Sequence, residues 1–150
     1  MSYFLDSSAL GKIYHREQGS DWLRALYQQD TPLIVSELAK IECISMSARR
    51  VREGTLQPSA FEAIASTLHA DLEDRYQVLS FTASVISVAS ILLGTVGLNQ
   101  PLRSLDAIQL AFFKEIDRPG ITFVCADKRL LEAARSLGFP SVDANVAQTR

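Results

Sequence analysis

Two acidic residues follow apolar segments in a pattern that places a carboxylate at the end of a buried strand. Asp6 comes directly after Tyr3-Phe4-Leu5, and Asp127 comes directly after the mostly apolar residues 121–126. Each acid precedes a helical pattern, and the carboxyl ends of parallel strands share one edge of a sheet, so we expect the two acids at the same edge. Each acid is also consistent with a helix N-cap, whose side-chain oxygen accepts hydrogen bonds from the first turn. The junctions alone leave both interpretations open.

Two further acids are expected to face the body of the protein. Asp106 lies in the first turn of a predicted helix, on the same stripe as Leu110 and Phe113. Taken alone, it is explained by stabilisation of the helix dipole. Glu42 falls in the middle of another predicted helix, at the border of its apolar stripe, where a carboxylate is not expected to be freely solvated.

Carboxylates that converge without matched Lys or Arg partners repel each other unless they take up protons or a cation neutralises them. Oxygen ligands suit a hard cation such as Mg²⁺ or Mn²⁺. A cation at such an edge can polarise a phosphodiester and activate water. The acids therefore predict metal-dependent hydrolysis, with Ser7 and Ser8 at a helix N-terminus available to orient a water or a phosphate oxygen.

The order of the predicted elements indicates an α/β fold. Strands alternate with helices along the 150 residues, which predicts one domain over residues 1–150 with a central parallel sheet flanked by helices. The predicted strands are residues 2–5, 32–35, 77–81, 121–126 and a last strand that includes 141–142. The predicted helices are residues 8–14, 21–28, a segment capped by Ser36 that ends near 52, 59–75, an apolar helix within the charge-free residues 78–98, a segment 105–116 capped by Ser104, and 128–137.

Several features predict a cytoplasmic protein without a membrane span. The charge-free stretch 78–98 has the length of a bilayer span, but serines recur along one face, so we interpret it as an amphipathic core helix with Val85, Ile86 and Ala89 on its apolar face. Asp6 interrupts the N-terminal apolar run, unlike in a secretory signal. Cys43 and Cys125 form no cysteine cluster, so we expect reduced thiols.

The charge balance gives no global attraction for nucleic acid, because the formal net charge is −2. The exception is local, at Arg49, Arg50 and Arg52. Cations in the last turn of a helix are favoured by the helix dipole, so we interpret these arginines first as C-terminal helix charges and leave a role in nucleic-acid binding as the alternative.

Four motifs together resemble the PIN domains of VapC-type toxins. The resemblance covers nearly the whole chain and rests on the order and spacing of motifs that are weak singly. The motifs are Phe-Leu-Asp6-Ser-Ser-Ala-Leu-Gly-Lys12-Ile-Tyr, Ala39-Lys-Ile-Glu42, Leu102-Arg-Ser-Leu-Asp106-Ala-Ile-Gln-Leu-Ala111 and Phe123-Val-Cys-Ala-Asp127-Lys-Arg-Leu.

The resemblance implies a Mg²⁺- or Mn²⁺-dependent endoribonuclease that is usually homodimeric and is held inactive by a VapB-like antitoxin. The predicted catalytic residues are Asp6, Glu42, Asp106 and Asp127, which match the family's acidic quartet. Of these, the predicted metal ligands are Asp6, Asp106 and Asp127. The predicted supporting residues are Ser7 and Lys12 in the first motif and Arg103 before the third acid. Attack by water would leave 5′-phosphate and 3′-hydroxyl ends on the RNA.

Two positions depart from the family pattern. Cys125 stands where Ser or Thr often precedes the fourth acid, which puts a hydroxyl contribution near Asp127, and a second metal ion, in question. Gln109 stands where His is common, and we expect this change to affect substrate contacts only.

Two other functions are considered. A catalytically inactive PIN-like binding module is suggested only by Cys125. A phosphotransfer enzyme with Asp6 as nucleophile would resemble Asp-x-Asp at this point, whereas Ser8 occupies the second acidic position here.

Overall fold

The computed structural model describes residues 1–116 and 118–146, and these residues form an α/β structure. The strands are β1 (Ser2–Leu5), β2 (Leu33–Ser36), β3 (Tyr76–Leu79), β4 (Ile121–Cys125) and β5 (Ser141–Asp143). The α-helices are α1 (Ser7–Tyr14), α2 (Ser20–Gln28), α3 (Glu37–Arg52), α4 (Pro58–Asp74), α5 (Ala83–Thr95), α6 (Ser104–Lys114) and α7 (Lys128–Ser136). A short 3₁₀ turn, Val96–Leu98, follows α5.

The strands form one parallel sheet in the order β3-β2-β1-β4-β5. The chain first builds the sheet from β1 toward β3 and then crosses to the other side of β1 to add β4 and β5. In open parallel sheets, the crevice at such a reversal of strand order is the usual place for a ligand. The sheet therefore confirms the predicted α/β fold and directs attention to the carboxyl ends of β1, β2 and β4.

Side chains of the central strands alternate between two buried clusters, one on each face of the sheet. Phe4 and Phe123 stack with ring centroids 5.8 Å apart on one face, beneath helices α5, α6 and α7. Leu5 and Val124 face the other side, where they pack with helices α1 to α4. Burial of both faces fixes the register of the strands. The strand ends are thereby held rigidly, together with the residues that follow them.

The apolar helix is shorter than a membrane span and lies partly at the surface. Val85, Ala89 and Leu92 on α5 are buried at helical spacing, whereas Ile86 is 50% exposed, contrary to its predicted place in the core. In residues 1–116 and 118–146, no helix is long and apolar enough to cross a membrane.

The predicted N-cap of α6 is wrong. Ser104 is the first residue of α6, and Arg103 precedes it as the N-cap without a side-chain capping bond. By contrast, Ser36 caps α3 as predicted, because its hydroxyl accepts a hydrogen bond from the backbone N–H of Ala39 at 3.2 Å.

Candidate functional site

The four predicted acids line one cleft at the carboxyl edge of the sheet. Asp6 follows β1, Glu42 lies on α3 after β2, Asp106 lies in the first turn of α6, and Asp127 lies between β4 and α7. The cleft encloses about 680 Å³, and Ser7 and Arg103 also line it. Acids far apart in sequence are therefore brought to one place by the parallel strands.

Asp6 is both a helix cap and a buried member of the cleft. Its carboxylate is 3% exposed and accepts hydrogen bonds from the backbone N–H of Ala9 at 2.8 Å and from the hydroxyl of Ser8 at 2.7 and 2.9 Å. Burial raises the pKa of Asp6 to about 6, against the lowering effect of these hydrogen bonds. Within the described residues no Lys or Arg forms an ion pair with Asp6, so its negative charge is not compensated there.

The thiol of Cys125 occupies the space between the first and fourth acids. Its sulfur lies 3.4 Å from Oδ2 of Asp6 and accepts a hydrogen bond from the backbone N–H of Asp127 at 3.3 Å. Burial raises the pKa of this thiol, so it stays protonated at neutral pH and can donate to Asp6. Ser8 supplies a hydroxyl at the same place, since its Oγ accepts from the backbone N–H of Ala126 at 2.9 Å while it donates to Asp6. Although Cys125 stands where Ser or Thr is common, Asp6 therefore still has hydrogen-bond donors from the thiol and from the Ser8 hydroxyl.

Glu42 is held by side chains from two other helices. The hydroxyl of Ser7 on α1 donates to Oε2 of Glu42, and Nε2 of Gln109 on α6 donates to the same oxygen at 2.9 Å. Gly11 on α1 faces the flexible end of the Met46 side chain on α3, and a Cβ at this position would lie 2.8 Å from its Cε atom, so a larger residue would require Met46 to move. Gln109 is 2% exposed, so the expectation that this position affects only substrate contacts is corrected: its amide belongs to the internal network around Glu42.

Arg103 bridges the third and fourth acids. Its Nε donates to Oδ2 of Asp106 at 3.0 Å, and its Nη2 donates to Oδ2 of Asp127 at 3.3 Å. The other oxygen of Asp127 caps α7 by accepting from the backbone N–H groups of Arg129 and Leu130. The Arg103 side chain is 74% exposed, and ion pairs at such exposure contribute about 0–1 kcal/mol. The bridge can therefore open at little cost.

Two of the three arginines near the end of α3 also line the cleft. Arg49 and Arg52 do so, whereas Arg50 pairs with Glu17 at 2.6 Å outside it. All three lie in the last turn of α3, as the interpretation from the helix dipole requires. Arg49 and Arg52 in addition place positive charge at the rim of an acidic cleft, which sequence spacing along one helix did not indicate.

Lys12 lies outside the cleft lining. Its side chain is buried, and Nζ donates to Oε1 of Glu17 at 3.1 Å and to the carbonyl of Gln18 at 2.7 Å. These contacts tie the end of α1 to the connection that leads to α2. In the structure, Lys12 therefore makes its polar contacts with Glu17 and Gln18 and none with the four acids of the cleft.

The donor chemistry of the cleft fits a hard divalent cation. Its charged donors are carboxylates, and the buried, uncompensated Asp6 is a group that a cation would stabilise. As the side chains stand, no group of three or more His, Cys, Asp or Glu in residues 1–116 and 118–146 is close enough together to hold a metal ion. The Arg103 bridge occupies one oxygen of each of Asp106 and Asp127. The metal ligands consequently stay a prediction.

Comparison with known proteins identifies relatives along most of the chain. The PIN domain family matches residues 3–136. Ribonuclease VapC47 of Mycobacterium tuberculosis (strain CDC 1551 / Oshkosh) is 32% identical over 140 residues, which cover 91% of this chain and 92% of the relative.

Solved structures share the fold at low sequence identity. FitAB bound to an IR36 DNA fragment gives a TM-score of 0.71 at 13% identity, over 99% of both chains. VapBC2 from Rickettsia felis bound to a promoter DNA fragment gives 0.68 at 13% identity, over 95% of this chain and 98% of that chain. The matched family, the relative and the shared fold agree with the predicted resemblance, and the chain belongs to the PIN domain family.

Proposed function

We propose that the protein is a metal-dependent endoribonuclease that acts as the toxin of a type II toxin-antitoxin pair. The observation that carries the proposal is the convergence of Asp6, Glu42, Asp106 and Asp127 in one cleft at the carboxyl edge of the sheet. Support also comes from the relative named as a ribonuclease, which aligns with almost the whole chain.

Asp6, Asp106 and Asp127 are the residues that would hold Mg²⁺ or Mn²⁺. When bound, the cation supplies Lewis-acid polarisation of the phosphodiester and of the attacking water. Asp6 contributes a carboxylate fixed by the start of α1, and opening of the Arg103 bridge frees Oδ2 of both Asp106 and Asp127. Glu42 is the candidate proton acceptor, because Oε2 takes both of its hydrogen bonds and Oε1 makes none within the described residues.

The basic rim is suited to an RNA backbone. Arg49 and Arg52 line the cleft beside the acids and can contact phosphates on either side of the scissile bond. Arg103 also lines the cleft and can do the same when its bridge to Asp106 and Asp127 opens. Binding therefore depends on local positive charge, although the chain as a whole carries a formal net charge of −2.

The alternative of Asp6 as a phosphotransfer nucleophile is disfavoured by its surroundings. The carboxylate is 3% exposed and is held by Ser8, Ala9 and Cys125, so approach of a phosphorus atom in line with either oxygen is obstructed. A metal ion needs to reach only one lone pair of the carboxylate and requires no in-line geometry.

The proposed partners are those that the resemblance to VapC-type toxins implies. A homodimer is expected, and a VapB-like antitoxin would inhibit by directing a cationic side chain to the acids. Arg binds carboxylates through two parallel hydrogen bonds and would compete with the metal. The bridge that Arg103 makes between Asp106 and Asp127 shows that a guanidinium fits between these two carboxylates.

The direct test is cleavage of a broad RNA panel by purified protein in EDTA and after addition of Mg²⁺ or Mn²⁺. We expect cleavage only with the cation, and a loss of orders of magnitude in Asp6→Asn. Asp74→Asn is the matched control, because Asp74 is an exposed acid at the end of α4. Undiminished cleavage in EDTA would contradict the mechanism, and no cleavage of any RNA with either cation would favour an inactive binding module.

A further inference from the structure

We propose that Gln109 is a positioning residue for the reaction, which holds the carboxylate of Glu42 in the orientation that the cleft requires. This inference rests on the proposed function. Gln109 was expected to affect substrate contacts, yet its side chain is 2% exposed and forms hydrogen bonds to three other side chains.

The hydrogen bonds use both ends of the amide and fix its orientation. Nε2 donates to Oγ of Ser7 at 2.8 Å and to Oε2 of Glu42 at 2.9 Å, while Oε1 accepts from the hydroxyl of Ser36 at 3.0 Å. A primary amide has two N–H donors, and both are used here. If the amide were rotated by half a turn, Oε1 would face the Glu42 carboxylate. Oγ of Ser7 and Oε2 of Glu42 would then lose the N–H groups that Nε2 now donates to them. One orientation is therefore strongly preferred.

The network ties Glu42 to the sheet through Ser36. Ser36 is the last residue of β2, is fully buried, and also caps α3, the helix that carries Glu42. Gln109 reaches it from α6, and Ser7 completes the network from the start of α1. Side chains from α1 and α6 thus hold one oxygen of a carboxylate on α3, and the end of β2 in turn holds the Gln109 amide.

The amide performs this task without adding charge to the cleft. A Lys or Arg at position 109 would neutralise Glu42 and repel a cation in the cleft. Gln donates two hydrogen bonds from one nitrogen and stays neutral at every pH of interest. A neutral His at position 109 can donate from only one ring nitrogen, so it can keep the bond to Glu42 but not both donations.

The test compares substitutions of Gln109 with a control variant that also loses a hydrogen bond to a largely buried carboxylate, but outside the cleft. Gln109→Met keeps the length of the side chain and removes all three hydrogen bonds, and Gln109→His keeps one donor. We expect Gln109→Met to lower kcat about 10- to 100-fold, as is typical for loss of a residue that orients a catalytic group, with KM for RNA changed little. Gln109→His should retain most of the activity. Gln109→Asn, which shortens the amide by one methylene, should lose activity like Gln109→Met and serves if the latter does not fold.

Tyr27→Phe is the matched control. The Tyr27 hydroxyl donates to Oδ1 of Asp71 at 2.8 Å, so this variant also removes a hydrogen bond to a carboxylate that is largely buried, but at a place outside the cleft. It should keep wild-type kcat. A fall equal to that of Gln109→Met would show that the effect is general loss of stability and would overturn the proposal.

A double-variant cycle distinguishes positioning of Glu42 from an independent effect. If Gln109 acts through Glu42, Gln109→Met should lower kcat no further when Glu42→Gln is already present. Full additivity, or wild-type kcat in Gln109→Met, would overturn the proposal.

Mn²⁺ affinity, measured by electron paramagnetic resonance, gives a readout that does not need cleavage. Glu42 lines the cleft beside the three predicted ligands, and a carboxylate just outside the ligand set also contributes to metal affinity, so Glu42→Gln and Gln109→Met should weaken Mn²⁺ affinity alike, by about 10-fold. If the wild-type protein cleaves no RNA, the proposed function fails, and this measurement still decides the role of Gln109: equal weakening supports it, and unchanged affinity in Gln109→Met overturns it.

Discussion

Substitution of Asp6 by Asn should make the metal-free protein more stable at neutral pH. Asp6 is buried and has no ion-pair partner within the described residues. Burial raises its pKa from the usual 3.8 to about 6. The charged carboxylate is therefore less favourable in the folded protein than in the unfolded chain, and Asn removes that charge.

The sign and size of the effect on stability follow from the difference between the pKa of Asp6 in the folded and in the unfolded state. Between these two pKa values the folded state keeps a proton that the unfolded state has released, so stability falls as pH rises through this window. The full loss of stability is present above the pKa of Asp6 in the folded state. It is absent below the pKa of Asp6 in the unfolded state. A displacement from 3.8 to about 6 corresponds to about 3 kcal/mol, since each pH unit is worth about 1.4 kcal/mol.

The net effect of the substitution is smaller than this cost. The Oδ1 atom of Asn can still accept from the backbone N–H of Ala9 and from the Ser8 hydroxyl, but its NH₂ group cannot accept from the thiol of Cys125. Loss of such a hydrogen bond costs about 1 kcal/mol. We therefore expect Asp6→Asn to be more stable than wild type by about 1–2 kcal/mol at pH 7 and to lose this advantage near pH 4.

The assay is urea unfolding in EDTA at several pH values, with Asp74→Asn as the control for removal of an exposed acid. The quantity to compare is the difference in free energy of unfolding between variant and wild type at each pH. Addition of Mn²⁺ should then stabilise wild type and not Asp6→Asn. A difference that does not change with pH, or an Asp6→Asn protein that is less stable at pH 7, would refute the reasoning.

Three further outcomes are expected. Arg49→Gln and Arg52→Gln should each weaken RNA binding and reduce the slope of log affinity against log salt concentration by about 0.7. Arg16 is exposed and lies outside the cleft lining, so Arg16→Gln should leave the affinity and the slope unchanged. An unchanged slope in Arg49→Gln and Arg52→Gln would exclude phosphate contacts. Arg103→Gln should tighten Mn²⁺ binding by up to about fivefold in calorimetry, because an exposed ion pair of at most about 1 kcal/mol no longer competes, and weaker binding would contradict this competition. Light scattering at micromolar concentration should give the mass of a homodimer, and a monomer would count against the proposed assembly.

Most of the fold could be predicted from local patterns in the sequence, and the convergence of the four acids could be predicted from those patterns together with the resemblance to PIN domains. The apolar runs that end at Asp6 and Asp127 mark strands, and parallel strands bring their carboxyl ends together wherever they occur in the chain. The position of Glu42 at the border of an apolar stripe also indicated its place in the cleft. The start of α6 at Ser104 was less predictable, since Arg103 takes the N-cap position without using its side chain.

The environment of the acids could not be predicted, because it depends on contacts between residues distant in sequence. The Gln109 amide reaches Glu42 only when α6 packs beside α3, and no spacing within α6 indicates that partner. Likewise, the helix dipole is enough to explain Arg49 and Arg52 at the end of α3. The sequence alone therefore did not indicate that they line the cleft. The one available signal for Gln109 was a polar residue between Ala107 and Leu110, on the side of α6 that is buried.

The chemistry of the RNA ends tests the central claim most directly. If water attacks phosphorus in line with the 3′ oxygen, with Asp6, Asp106 and Asp127 as the cation ligands, the products carry 5′-phosphate and 3′-hydroxyl ends. The metal-free route uses the 2′-hydroxyl and acid-base side chains, most often His, and leaves 5′-hydroxyl ends. Of the two histidines in the chain, His15 is buried against Ser47 and His69 is exposed on α4, and neither lines the cleft.

The measurement is sequencing of cleaved RNA by adapter ligation to the 5′ end, with and without prior treatment by a polynucleotide kinase. Asp6→Asn protein supplies the background in both arms. We expect wild-type products to ligate without kinase treatment. Products that can be captured only after the kinase has added a 5′-phosphate would contradict a hydrolytic metal site built from these acids.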